Sequence, residues 1–285
     1  MLFAAVCVLW GIPYLLIKIA VAEVSVPVLV FARTALGALV LLPLAARPGA
    51  VGIVRAHWRP LLVFAVVEII GPWALLSDAE RVLDSSLTGL LIAAVPIIAV
   101  LAGRVAGDTE RLGPLRWAGL GLGLGGVALL AAPHLDRGSG LAIGEVLLVA
   151  VGYAVGPIIA ARRLGEVPNL LMTAACLSFA ALVYLVPAVL TRPAVLPSPP
   201  VLLALGGLGL LCTAAAFVLF FELIGEVGPT RAVVITYVNP AVAVVAGVLV
   251  LGEPLTATVV GAFALILLGS VLATRQRRMR QDRWT

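Results

Sequence analysis

Long stretches of this chain carry no ionisable side chain at all. Residues 168–191, 193–221 and 255–274 are uninterrupted by charge, and each supplies the ~20 residues a helix needs to cross the hydrocarbon core of a bilayer. Composition agrees: 62% of the residues are hydrophobic and 12% charged, where a soluble domain carries about 25% charged. A water-soluble fold would lack polar surface. A transmembrane β-barrel is excluded as well, because its strands alternate polar and apolar residues and these runs do not.

Apolar runs separated by charged or Pro/Gly-rich breaks predict ten spans, at 2–22, 27–46, 60–77, 85–104, 115–132, 141–162, 168–190, 200–222, 231–251 and 255–274. The connections are too short for a soluble domain. An even number of spans leaves both termini on one side of the membrane. Fourteen basic residues fall on that side, among them Arg47, Arg55, Arg59, Arg104, Arg111, Arg116, Arg231 and five in the tail, against Arg81, Arg137 and Arg192 on the other. The positive-inside rule then predicts a multi-pass protein of the cell inner membrane with both termini cytoplasmic. The net charge of +5 reads as topology, and no nucleic-acid partner is expected. The first segment is too long and too polar in its middle for a cleaved signal peptide. Cys7, Cys176 and Cys212 lie in apolar runs without a pairing pattern, and no Cys/His cluster has metal-ligand spacing. Neither a metal nor a cofactor is expected. No Walker motif is present, which argues against ATP-driven transport.

A shift of 144 residues, about half the chain, maps Pro13 onto Pro157, Lys18 onto Arg162, Pro43 onto Pro187 and Pro96 onto Pro240. All four pairs fall at matching depths of matching spans. The predicted organisation is a five-helix repeat over 1–140, a second over 141–274 and a basic cytoplasmic tail over 275–285. Five is an odd number, so the second half enters the membrane from the opposite side. The fold class expected is therefore an all-α membrane protein, ten transmembrane helices as two inverted five-helix repeats. Such repeats are typical of secondary transporters, with the solute bound near the midplane between the halves. Pro13, Pro96, Pro157 and Pro240 are candidate hinges, because proline interrupts the helical hydrogen-bond ladder.

Local motifs add a resemblance. The opening "WGIPYLLIK", with Trp10, Gly11, Tyr14 and Lys18, resembles the first span of EamA-type transporters of the drug/metabolite transporter superfamily. "FARTALGALVLLP", with Arg33, is similar to the second span, and the ending through Pro240, Gly252, Glu253, Pro254, Leu255, Gly261 and Gly269 is similar to the last two. Two positions depart from the pattern: Pro13 stands where a small polar residue is common, and Asn239 where an acidic one is. The resemblance implies export or exchange of a small metabolite, amino acid or drug-like solute by alternating access, and each half as an EamA-like repeat.

Polar and aromatic residues inside spans are the candidates for function. Trp10, Tyr14 and Lys18 are spaced i, i+4, i+8 and share a helical face. Two readings stay open for the aromatics, a cavity lining and helix packing. For Lys18, the only lysine, a gating or ion-pair role near the outer face is expected. Arg33, inside the second span, needs a partner in a low-dielectric setting, and Glu23 in the preceding turn is the candidate. Glu68, near the middle of the third span, is a functional candidate by its depth and belongs to the expected solute-binding set, as a proton carrier or as a counter-charge for a cationic solute; a protonated side chain hydrogen-bonded to a neighbouring helix is the alternative. Glu253 reads as a cap for the last helix. Trp73, Tyr153, Tyr237 and Asn239 complete the expected solute-binding set. Glycines in "GLGLGLGGVALL", notably Gly119 and Gly123, predict close helix packing.

The expected partners are a small-molecule substrate, membrane lipid and protons as the hypothesised coupling ion. One chain holds both halves, so monomer and homodimer both fit. A passive channel or facilitator is the nearest alternative. An integral-membrane enzyme or accessory protein is a more distant one, since the few mid-span polar groups spread over both halves; the chain is not expected to be an enzyme.

Overall fold

The computed structural model describes residues 1–107, 113–135, 139–228, 232 and 234–274. Among these every regular element is helical. Nine helices among the described residues are long and apolar enough to cross a membrane: Leu2–Ala20, Val26–Ala45, Trp58–Ala79, Ser85–Val105, Pro114–Pro133, Gly140–Arg163, Asn169–Leu190, Pro199–Val227 and Ala257–Thr274. The ninth of the ten expected spans is a shorter apolar helix, Ile235–Leu251, of 17 residues; positions 231 and 233, where it was expected to start, lie outside the described residues. The basic tail, Arg111, Arg137 and Arg231 also lie outside them.

Several spans are built from pieces, and local chemistry explains where they break. The first consists of α1 (Leu2–Gly11) and α2 (Pro13–Ala20). Pro13 has no N–H to give to the ladder, and Ile12 between the pieces has φ −84° and ψ −10°. The helix α3 is Val26–Ala45, and a short α4 (Ala50–Ala56) leads to the third span. That span runs from α5 (Trp58–Ala65) through a π-helical segment, Val66–Ile70, into α6 (Gly71–Ala79). The fourth is α7 (Ser85–Ile92) and α8 (Val95–Val105), parted at residues 93–94, with Pro96 in the first turn of α8. Then follow α9 (Pro114–Leu135), α10 (Gly140–Arg163) and α11 (Asn169–Leu190). The next span joins α12 (Pro199–Gly206) to α13 (Ala216–Val227) through a second π-helical segment, Gly207–Ala215. The last helices are α14 (Ile235–Leu251) and α15 (Ala257–Thr274).

Of the four candidate hinges, two stand at helix breaks and two do not. Pro13 and Pro96 open new helices. Pro157 and Pro240, their counterparts under the 144-residue shift, lie inside the continuous α10 and α14. The same shift lays the first π segment within the second. Helix contacts are likewise paired: α3 packs on α11, α9 on α15, and α7 on α14, while α1 lies against α13 and α14 and α10 against α6, α7 and α8.

The largest buried cluster joins residues of both halves, including Ile17, Leu29, Leu41, Leu61, Leu177 and Leu208. Large apolar side chains such as Leu39, Leu182, Leu190, Leu203 and Leu249 point outward and exposed, which suits a lipid surroundings. In lipid, burial of apolar area drives helix association little, and close packing of small residues matters more. The α9–α15 contact is built this way. Methyl groups added at Gly119 or Gly269 would run into the facing helix, at Gly269 into the backbone of Gly119 and Gly123, and one at Gly123 would run into Ile97 of α8. The close packing read from the glycine spacing is formed.

Gly269→Ala is expected to destabilise the protein by about 1–3 kcal/mol, because backbone cannot move aside as a flexible side chain can. Gly121→Ala, which meets nothing within 4 Å, is expected to be neutral or slightly stabilising. Thermal unfolding of the two detergent-solubilised proteins checks the contrast.

Candidate functional site

The helix pieces of the first half bring a set of polar side chains to the face of the second. Arg33 on α3 is the centre: it is 6% exposed, and its guanidinium carbon lies 3.7 Å from the centre of the Trp73 ring. Its Nε donates to Thr213 Oγ1 at 3.1 Å. The Thr213 hydroxyl in turn donates to the Leu208 carbonyl at 2.8 Å, an acceptor five residues earlier that the wide π turn leaves within reach. The Tyr153 hydroxyl on α10 lies close to Trp73. Tyr14, buried on α2, faces Tyr153 and Arg33 electrostatically. A desolvated cation on an aromatic face is held by the ring's quadrupole, so Trp73 and Thr213 together replace part of the water that Arg33 has lost.

The expected pair between Arg33 and Glu23 is not formed. Glu23 lies in an exposed turn and accepts from Ser198 N at 2.7 Å and Ser198 Oγ at 2.6 Å. Those donors hold its carboxyl below the usual carboxylate range. Backbone N–H groups at the start of α12 are unfilled donors, and they outcompete a guanidinium that would have to leave the protein interior.

Lys18, on the next turn of α2 after Tyr14, donates to the carbonyls of Glu80 at 2.8 Å and Leu83 at 2.7 Å. It caps the C-terminus of α6, and does not sit on a carboxylate. Glu253 does not cap the last helix as expected. It reaches α7 and accepts from Ser85 N (2.8 Å), Ser85 Oγ (2.8 Å), Ser86 N (2.9 Å) and Ser86 Oγ. Burial alone would raise its carboxyl, but these four donors outweigh it and the net position is below the usual range. Glu68 sits in the first π segment with one carboxylate oxygen buried and without a hydrogen-bond partner. That oxygen lies against Gly156 of α10, where a methyl group would collide with it.

Three of the expected solute-binding residues are elsewhere. Trp10 packs its ring on Phe217 and Phe220, with centroids at 5.5 and 4.6 Å, so the shared face with Tyr14 is divided at the Pro13 break. The Tyr237 hydroxyl bonds Thr274 Oγ1 at 2.8 Å. Asn239, with its amide turned so that nitrogen donates, reaches the carbonyls of Ile235 at 2.9 Å and Cys7 at 3.3 Å. Helix-to-helix packing absorbs all three.

Four residues of the site escaped sequence reasoning: Glu80, Ser85, Ser86 and Thr213. Glu80 lies among charges in "SDAERVLD" and looks like a solvated loop, yet it is fully buried. A signal was available, because Trp73, Ser77 and Glu80 repeat at i, i+4 and i+7 on one helical face. Thr213 is a single hydroxyl in a long apolar run and carries no such mark. Among the described residues no three His, Cys, Asp or Glu side chains gather as a metal site would require.

Comparison with known proteins fits this arrangement. The model of the family described as "EamA-like transporter family" matches residues 1–132 and 140–275. The "Uncharacterized inner membrane transporter YedA" of Escherichia coli (strain K12) is 28% identical, the alignment covering 95% of this chain and 88% of YedA. The "Uncharacterized transporter YvbV" of Bacillus subtilis (strain 168) is 26% identical over 94% of this chain and 88% of its own length. A chain solved by crystallography shares the fold with a TM-score of 0.68 at 24% identity, over 96% of both chains.

Thr213→Val is expected to lower stability by about 1–3 kcal/mol, since it leaves the buried Arg33 Nε–H without an acceptor, while Thr213→Ser restores it. Unfolding of both variants measures this. Glu253 has a folded pKa below its unfolded value, so its contribution is complete above the ordinary carboxylate value of about 4.3 and fades as pH falls beneath that. Thermal midpoints across this acid range are expected to fall less steeply for Glu253→Gln than for the wild type.

Proposed function

The chain belongs to the EamA-like transporter family, and from that premise we propose that it is a secondary transporter of the inner membrane that exports a small metabolite, amino acid or drug-like solute by alternating access. The observation that carries this reading is the convergence on Arg33 of residues far apart in the chain: Tyr14 and Trp73 from the first half, Tyr153 and Thr213 from the second. A solute bound at such a junction touches both halves and can be released by moving one against the other. The similarity to YedA, an inner membrane transporter by name, supports the location.

In this reading the chain is two inverted five-helix repeats, 1–140 and 141–274, with both termini cytoplasmic. Two separate stretches matching the family support it, as do π segments and helix contacts that correspond under the 144-residue shift. The prolines support it in another way. Pro13 and Pro96 stand at breaks while Pro157 and Pro240 lie within intact helices, so the two halves hold different conformations of similar sequence. Exchange of those conformations is what alternating access requires. Tyr14, Trp73 and Tyr153 line the solute site, with Arg33 at its centre. Glu68, whose buried oxygen lacks a partner, carries the coupling proton. Trp10, Tyr237 and Asn239 steady the helices around the site.

Counterflow into proteoliposomes, with amino acids, nucleosides and cationic drugs as probes, tests the proposal. Saturable exchange of one class is expected, lowered at least tenfold by Trp73→Ala and stripped of its pH dependence by Glu68→Gln. Linear, non-saturating flux would identify a passive channel instead, and a Glu68→Gln protein with unchanged rate and pH profile would remove Glu68 from the coupling path.

A further inference from the structure

The turn between α6 and α7 is held at both ends by charges from distant parts of the chain. Lys18 of α2 caps the carbonyls of Glu80 and Leu83 at the end of α6. Glu253, from the turn before α15, caps the N–H and hydroxyl groups of Ser85 and Ser86 at the start of α7. Each charge has the sign that the helix terminus favours, a cation at the carbonyl end and an anion at the N–H end. The result is a clasp that ties the first helix and the last connection to a single short turn.

Inside this clasp lies Glu80, with no exposed surface and no hydrogen-bond partner for either carboxyl oxygen. The nearby ammonium of Lys18 bonds the backbone oxygen of this very residue and not its carboxylate. The groups that face Glu80 are Lys18 and Tyr14 from α2, Arg33 from α3 and Glu253 from the turn before α15. Asp78 and Arg81, on its own side, pair with each other at 3.5 Å in exposed positions. A buried carboxylate ion that accepts no hydrogen bond is strongly disfavoured, and the neutral acid is tolerated far better. Two cations close by pull the other way and favour ionisation. The carboxyl therefore stands between two states, and each makes a different demand on the clasp.

We propose that Glu80 is a proton-binding site that controls the clasp over the α6–α7 turn. With the proton bound, Lys18 remains on the two carbonyls and Glu253 on the two serines. When the O–H bond breaks and the proton passes to water, the new carboxylate draws the Lys18 ammonium off the carbonyls. Its charge also repels the Glu253 carboxylate from Ser85 and Ser86. Both caps weaken together and the turn is released. The site differs from Glu68, which faces α10 and has no role in either cap. The inference rests on the transporter reading only for what the release would serve, namely opening one side of the solute site.

Hydrogen–deuterium exchange of the full chain in lipid nanodiscs, with rates corrected for intrinsic chemical exchange, reads the Ser85 and Ser86 amides without any solute. Their protection in the wild type is expected to drop about tenfold or more between about pH 5 and about pH 9, the effect of a coupling of one pH unit or greater. Glu80→Gln, which mimics the protonated acid, should hold the high value at both pH values, and Glu253→Gln should stay low at both. Wild-type protection that does not change with pH overturns the proposal with no variant needed. A Glu80→Gln protein that keeps the wild-type change overturns it too. A clasp that responds as expected in a protein without saturable counterflow would sink the transporter reading and leave the proton site standing. Saturable counterflow with flat protection would do the reverse.

Discussion

Inside a bilayer every backbone N–H and C=O must find its partner within the protein, and the rest of this structure depends on how that demand is met where helices are not regular. The break at residues 93–94 leaves the Ala93 carbonyl to Ser270 at 3.3 Å. At the end of the first π segment, the Ile70 carbonyl accepts from the Tyr184 hydroxyl at 2.8 Å. In the second, Leu208 accepts from Thr213. Lys18 takes two carbonyls at the end of α6. Each irregularity is thus sealed by a side chain, and in all but the second π segment that side chain comes from a different helix. Irregular backbone becomes a means of joining distant parts of the chain.

The same constraint explains the character of the site. Thr213 can serve Arg33 because the π turn gives its hydroxyl a carbonyl to donate to, leaving the oxygen free to accept. Trp73 can hold the guanidinium because Gly71 and Pro72 start α6 afresh after the first π segment. Neither π segment is a flaw in a helix. Each aims a side chain at Arg33, a common use of such bulges. The buried charges follow a consistent division: Glu253 has four donors, whereas Glu80 and Glu68 each keep carboxyl oxygens with none. Satisfied groups hold the scaffold.

Proline shows how one residue type can take two structural states in one chain. At the first turn of a helix it gives up a hydrogen bond that was never available, so Pro13 and Pro96 are at ease beside breaks. Within α10 and α14, Pro157 and Pro240 remove a bond from a helix that continues through them.

Much of this was legible in the sequence. Charge-free runs fixed the membrane setting and nearly all the spans, because hydrocarbon imposes its length directly on apolar segments. The glycine spacing of α9 pointed to its close partner, α15. Tyr14, Arg33, Trp73 and Tyr153 were picked out because polar or aromatic groups in such runs are few. What the sequence could not decide was who meets whom. Glu23 is nearest Arg33 in the chain and still bonds Ser198, while Arg33 finds Thr213, 180 residues away. Glu253 precedes the last helix yet caps α7, and Glu80 looks like a surface charge yet has no exposed atom. Partner choice between buried polar groups turns on ångström-scale proximity and competition among donors, and only the packed tertiary structure sets those.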